Sequence, residues 1–81
     1  MKLNLSHIRL LKYLSDCESP ATIKACEEFL TQTDISLSSA KKYIEYLKLN
    51  DLIIIKKNPD DRRSKLVSLN PSLDINIDKL I

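Results

Sequence analysis

Between Ser36 and Leu69 the chain reads SLSSAKKYIEYLKLNDLIIIKKNPDDRRSKLVSL, and within that stretch the apolar pattern changes from helical spacing to short β-branched runs. The switch restricts the fold to a helix that feeds directly into a hairpin. Ala40, Tyr43, Ile44 and Leu47 recur every three or four residues and share one stripe, while Ser38, Lys41, Lys42 and Glu45 face elsewhere. One face packs and the other is free to touch a partner. Ser36 is an N-cap whose hydroxyl can accept from the orphan amides of the first turn, and Ser38 and Ser39 keep that turn small and able to donate hydrogen bonds. Such a helix start admits a backbone phosphate closely. Leu52, Ile53, Ile54 and Ile55 then form one strand, and Leu66, Val67 and Leu69 a second. Asn58-Pro59-Asp60-Asp61-Arg62-Arg63 lies between them as a turn, with proline fixing φ and Asn and Asp satisfying turn amides. Lys56, Lys57, Arg62, Arg63 and Lys65 are therefore expected to crowd the end of a hairpin, where an arginine can project into a narrow minor groove.

The distribution of charge agrees with this. Residues 36–70 hold eight basic and four acidic side chains, residues 1–35 four and five, and residues 71–81 one and two. The net charge of +2 is thus a local excess of +4 on the helix and hairpin, offset elsewhere. Lysine-rich faces also serve solubility and guard sheet edges, but segregation on one helix and one hairpin favours a polyanion. The 81 residues predict a single small domain, residues 1–81, that buries about 60 to 65 per cent of its unfolded surface and has no mass to spare for an active-site cleft. Apolar runs are only a few residues long, against about 20 for a membrane span, and no leader or lipidation motif is visible, so a cytoplasmic, nucleoid-associated protein with reduced cysteines is expected.

The first half reads as scaffold. A helix opening at Ser6 carries His7, Ile8, Leu10, Leu11 and Leu14, with Leu3 and Leu5 just before it, and ends near residues 15–18. Ser19 followed by Pro20 has the form of a cap and first helical residue, starting a second helix with the buried stripe Ile23, Cys26, Phe29 and Leu30. The polar, glycine-free segment Thr31-Gln32-Thr33-Asp34 connects it to the third helix, residues 36–49. In residues 71–81, Leu73, Ile75 and Ile77 alternate with Asp74, Asn76 and Asp78, and Leu80 and Ile81 follow. That tail packs either on its own domain or on a second copy.

Residues 36–69 resemble the recognition helix and wing of the MarR-type winged helix-turn-helix repressors, whose wing carries Asp-Pro-x-Asp-Arg-Arg followed by a strand ending in Leu-Thr. The matching residues are Asn58, Pro59, Asp60, Asp61, Arg62, Arg63 and then Val67, Ser68, Leu69, Asn70. Asn50-Asp51-Leu52-Ile53 stands where that family has a Lys-Gly-Leu-Val type turn, so Asp51 replaces the usual glycine; aspartate tolerates a left-handed backbone better than most residues. The resemblance implies an α+β winged helix of three helices and a two- or three-stranded β-wing over residues 52–69. It also implies a minor-groove role for Arg63 or Arg62, and an organising role for Asp61 through pairing with the basic side chains. Full-length members of that family dimerise through long terminal helices, for which 81 residues leave no room. A minimal winged helix is expected, with any homodimer built from the terminal segments.

Other residues that invite chemistry have structural explanations. His7, the single histidine, sits among apolar residues and is expected to be a partly exposed packing residue. Cys17 and Cys26 are nine apart and lack zinc-ligand spacing, and a structural role is favoured over a redox one. Asp60 and Asp61 form a capping pattern on a turn. No nucleophile motif, phosphate loop or metal cluster is present, so the sequence predicts a non-enzyme without cofactor or metal. The expected activity is sequence-specific binding of double-stranded DNA, most simply as a transcriptional repressor. Leu37, Ser38, Lys41 and Lys42 would enter the major groove, with Leu37 against a thymine methyl and Glu45 or Tyr46 at the margin. Thr33 and Ser39 would donate to the backbone, Lys56, Lys57 and Lys65 would contact phosphates, and Arg62 and Arg63 would reach the minor groove. Two alternatives share the fold: a protein-binding winged helix with an incidental basic wing, and a plasmid or viral replication-initiation or partition protein.

Overall fold

The computed structural model describes residues 2–17 and 19–71. In chain order the elements are α1 (Leu5–Asp16), β1 (Ala21–Thr22), α2 (Ile23–Thr31), α3 (Leu37–Leu49), β2 (Ile53–Asn58) and β3 (Asp61–Leu69). The strands form one three-stranded antiparallel sheet in the order β1-β3-β2, with β2 and β3 as its hairpin. The expected tail, apart from Pro71, lies outside the described residues.

Three boundaries differ from those expected. Helix α1 starts one residue earlier than Ser6 because Asn4 is the cap: its Oδ1 accepts the His7 N–H at 2.9 Å while His7 Nδ1 accepts the Asn4 N–H at 3.0 Å. This reciprocal pair satisfies two amides that a serine cap two residues later would leave open. Ser19-Pro20 does not start α2. Ala21 and Thr22 instead pair with Val67 and Leu66 of β3, and the Thr22 hydroxyl then accepts the Ala25 N–H at 3.0 Å as the cap of α2. A long-range strand pairing overrides the local proline signature here. The hairpin is also tighter than a six-residue turn, since Asn58 and Asp61 are already partners and only Pro59 and Asp60 lie between them.

The core is a single cluster of Leu10, Leu11 and Leu14 from α1, Cys26 and Leu30 from α2, Ala40, Ile44 and Leu47 from α3, and Leu52, Ile53 and Val67 around the sheet. Each helix contributes one stripe, and β3, as the central strand, contributes Val67 near its C-terminal end. Leu52 belongs to the helix terminus rather than to β2. Its N–H donates to the Leu47 carbonyl at 3.0 Å and the Asp51 N–H to the Lys48 carbonyl at 3.1 Å, which is a Schellman closure of α3 with Asp51 at φ 59°. Asp34, in the turn between α2 and α3, is the other left-handed residue, at φ 63°. Among the described residues, aspartates thus supply both positive-φ positions, in a chain that contains no glycine. Asn70 ties the ends together: its side-chain amide donates to the Asp51 carbonyl at 2.9 Å and its N–H to the Leu52 carbonyl at 3.1 Å.

Candidate nucleic-acid interface

Because Ala40, Ile44 and Leu47 are buried, helix geometry sends Ser38, Lys42, Glu45 and Leu49 to the opposite side of α3. Lys41 and Lys48 flank that outer face on the side of the sheet, where they line a cleft together with Ile55 and Lys65. Leu37, Ser38, Lys41, Lys42 and Glu45 are all exposed, and Ser39 is half-buried. At the helix start the Ser36 hydroxyl accepts the Ser39 N–H at 3.2 Å and donates to the Ser39 hydroxyl at 3.0 Å, with Ser38 Oγ also 3.2 Å away. The first turn therefore offers three clustered hydroxyls and no side chain bulkier than Leu37, which is 51% exposed.

The wing tip is built by its own side chains. Asn58 Oδ1 accepts the Asp60 N–H at 3.0 Å, and its amide donates to the Ser64 hydroxyl at 2.9 Å. Asp61 Oδ1 accepts the Arg63 N–H at 2.9 Å. The Asp61 carboxylate thus organises backbone, and among the described residues it makes no ion pair with a basic side chain. From Lys57–Lys65 to Asn58–Asp61 strand β2 advances one residue while β3 advances four, so Arg62, Arg63 and Ser64 form a bulge. A bulge turns side chains away from simple alternation. Both arginines are exposed, as are Lys56, Lys57 and Lys65, and Lys57 lies directly opposite Lys65.

No protein-family model and no curated protein matches the sequence. Solved structures do. ZitR of Lactococcus lactis, a zinc-responsive MarR family member, superposes with a TM-score of 0.70 at 25% identity, over 88% of this chain and 46% of its own. A mutant MarR from E. coli, complexed with operator DNA, gives 0.70 at 18% identity over 86% and 47%. BpsR of Bordetella bronchiseptica, whose DNA binding is regulated by 6-hydroxynicotinic acid, gives 0.68 at 28% identity over 86% and 47%. The fold is a MarR-like winged helix. The chain spans about half the length of these structures.

Within this winged helix α3 is the helix that leads into the sheet and the β2–β3 hairpin is the wing. Two further exposed residues, Lys48 and Leu49, belong to the α3 surface. Lys48 was legible as the residue seven beyond Lys41; Leu49, 71% exposed, falls outside the buried stripe and carries no sequence signal of its own. Thr33 lies in the turn before α3, where its hydroxyl donates to the Leu30 carbonyl at 2.8 Å. It also borders an apolar groove of about 600 Å³ lined by Leu5, Ile8, Tyr13 and Phe29.

His7 is buried rather than partly exposed, at 6%. Its ring stacks on Tyr46 at 4.7 Å and meets the edge of Tyr43 at 5.0 Å, and the Tyr46 hydroxyl donates to the Lys2 carbonyl at 2.8 Å. The start of α1 is thereby fastened to the flank of α3. Burial holds the His7 imidazole below its ordinary pKa of 6.5. Burial, followed by the neighbouring Cys17 and Glu27, pushes the Cys26 thiol up to about 11, and both cysteines are free. Such a thiol is a poor nucleophile and a good core residue. Among the described residues, no three His, Cys, Asp or Glu side chains are grouped to hold a metal, and no helix is long and apolar enough to cross a membrane.

Proposed function

We propose that this protein binds double-stranded DNA sequence-specifically and regulates transcription, acting as a repressor by occluding a promoter. The observation that carries the proposal is that the exposed cationic face of α3 and the bulged basic tip of the wing belong to one MarR-like winged helix. The E. coli MarR structure, solved with operator DNA, supports the same use of the shared fold. In this proposal Leu37, Ser38, Lys41 and Lys42 read the major groove, with Glu45 at its margin. Arg62 and Arg63 reach the adjacent minor groove, Arg63 from a backbone position fixed by Asp61. Lys56, Lys57 and Lys65 neutralise phosphates, and Ser39 donates to the backbone. A phosphate contact from Thr33 requires its hydroxyl to release the Leu30 carbonyl. The protein works as a cytoplasmic homodimer on a two-fold site, and no catalytic step is assigned to it.

The test is a fluorescence-polarisation titration of a labelled duplex from the gene's own upstream region against a scrambled duplex, over a series of salt concentrations. With about four phosphates neutralised per protomer, the log–log salt slope should be about −3.6 for a monomer and about −7 for a dimer. Preference for the native duplex with a slope in that range supports the proposal. A slope shallower than about −2, from folded protein, would sink it.

A further inference from the structure

A cleft of about 180 Å³ opens between α3 and the sheet. Its lining includes Ile23 and Glu27 of α2, Lys41, Ile44, Glu45 and Lys48 of α3, and Ile55 and Lys65 of the sheet. The three isoleucines make the floor apolar, so the polar character of the cleft comes from three ammonium and two carboxylate groups. Among the described residues, none of these five groups forms an ion pair with another within 4 Å. Lys57 stands directly across the strand pair from Lys65, and like charges placed directly opposite destabilise a ladder. Two lysines on α3 one heptad apart thus share the cleft with one lysine of a cross-strand cationic pair, Lys57 on β2 and Lys65 on β3. An external anion relieves both.

We propose that this cleft seats the DNA backbone phosphate that separates the major groove entered by α3 from the minor groove entered by the wing, with Lys48 as a contact alongside Lys65, and Lys41 at the cleft's major-groove edge. The assignment rests on the DNA-binding function proposed above and adds the path of the backbone across the protein. A helix in one groove and a hairpin in the next must straddle a strand, and this cleft is the gap between the two elements. Glu27 and Glu45 share the lining and reduce its net charge to +1, or +2 with Lys57. That balance is too small to capture a free anion but sufficient for a phosphate already held by contacts on either side. The ligand is therefore a duplex backbone and not inorganic phosphate.

The experiment measures binding of the native and scrambled duplexes by the wild type and by the Lys48→Ala, Lys65→Ala and Arg9→Ala variants. It adds a duplex series in which phosphates are replaced one at a time by neutral methylphosphonates. Far-UV circular dichroism checks that the exposed-site variants are folded. Loss of Lys48 or Lys65 should weaken binding to both duplexes alike and make the salt slope shallower by about 0.9 each; this is about 3.5-fold less affinity lost between 50 and 200 mM salt. Arg9→Ala, on α1, should leave the slope unchanged. One methylphosphonate position should weaken the wild type and leave Lys48→Ala unaffected, while millimolar inorganic phosphate should not compete. A wild type that binds steeply with salt while Lys48→Ala keeps the full slope overturns the cleft assignment and leaves the regulator intact. A changed preference between duplexes in Lys48→Ala would assign that lysine to a base instead, and competition by inorganic phosphate would make the cleft a free-anion site. Failure of the folded wild type to bind either duplex overturns both.

Discussion

With φ at 59°, Asp51 holds the position after α3 that glycine fills at least cost, and the Schellman bonds from Asp51 and Leu52 depend on that conformation. Its side chain makes the left-handed backbone tolerable without making it free. Asp51→Gly should therefore raise stability by about 0.5–1 kcal/mol, read as a higher urea midpoint at unchanged m-value; a lower midpoint would mean that the carboxylate stabilises the turn in some other way. Arg63 presents the opposite situation. Its side chain is exposed while its N–H is held by Asp61, so Arg63→Ala should keep the melting temperature within about 2 °C and still weaken duplex binding. Loss of folding in that variant would show the arginine to be structural. The replacement of glycine by Asp51 was legible through the resemblance, because Asn50-Asp51-Leu52-Ile53 stands where MarR-type proteins have a Lys-Gly-Leu-Val type turn. The use of Asp61 was only partly visible, since the family resemblance implied pairing with the basic side chains and its carboxylate takes the Arg63 backbone amide instead.

At the scale of elements, α1 is held by a reciprocal cap between exposed Asn4 and buried His7, whose ring packs against α3. Asn4→Ala removes the acceptor for the His7 N–H and should cost about 1 kcal/mol in thermal or urea unfolding. His7 makes the same junction sensitive to acid. Its Nδ1 accepts a hydrogen bond, so it must be unprotonated, and Nε2 is buried without a partner among the described residues. The groups facing it are Tyr43 and Tyr46 of α3. Because the folded pKa lies below 6.5, the unfolded chain takes up protons first as pH falls. The stability from neutral His7 is complete above about pH 6.5 and is lost progressively below it. His7→Phe should flatten the stability profile in that window, measured by urea unfolding across pH 5 to 7.5. Neither the cap at Asn4 nor the burial of His7 followed from residue types alone: a histidine at the third helical position becomes a capping and stacking residue only because α3 supplies two tyrosines.

For the whole molecule, three helices and a three-stranded sheet share one cluster of eleven buried apolar residues. A domain of this size has little stability in reserve. Leu47 is fully buried, packs in that cluster and accepts the Schellman bond from Leu52. Leu47→Ala should therefore cost about 2–5 kcal/mol and leave much of the chain unfolded at 37 °C, seen as loss of far-UV signal and of cooperative melting. The same small core leaves recognition to the surface, where the cationic side chains of α3 and the wing stand on adjacent elements.

The helical stripe of α3, the hairpin with its Asn-Pro-Asp-Asp tip and the concentration of basic residues were all determined by sequence, because each depends on spacing or composition within a few residues. The tertiary structure decided what depends on contacts between distant residues. Ala21 and Thr22 become a strand because β3 has an open edge, and that pairing moves the start of α2 to Ile23. Arg62 and Arg63 sit in a bulge because β3 advances four residues while β2 advances one. Lys48 and Lys65 come to line one cleft because α3 and the sheet leave a gap between them. Local periodicity specifies which face of an element is apolar; which polar residues meet across elements is set by register and packing, which no single segment encodes.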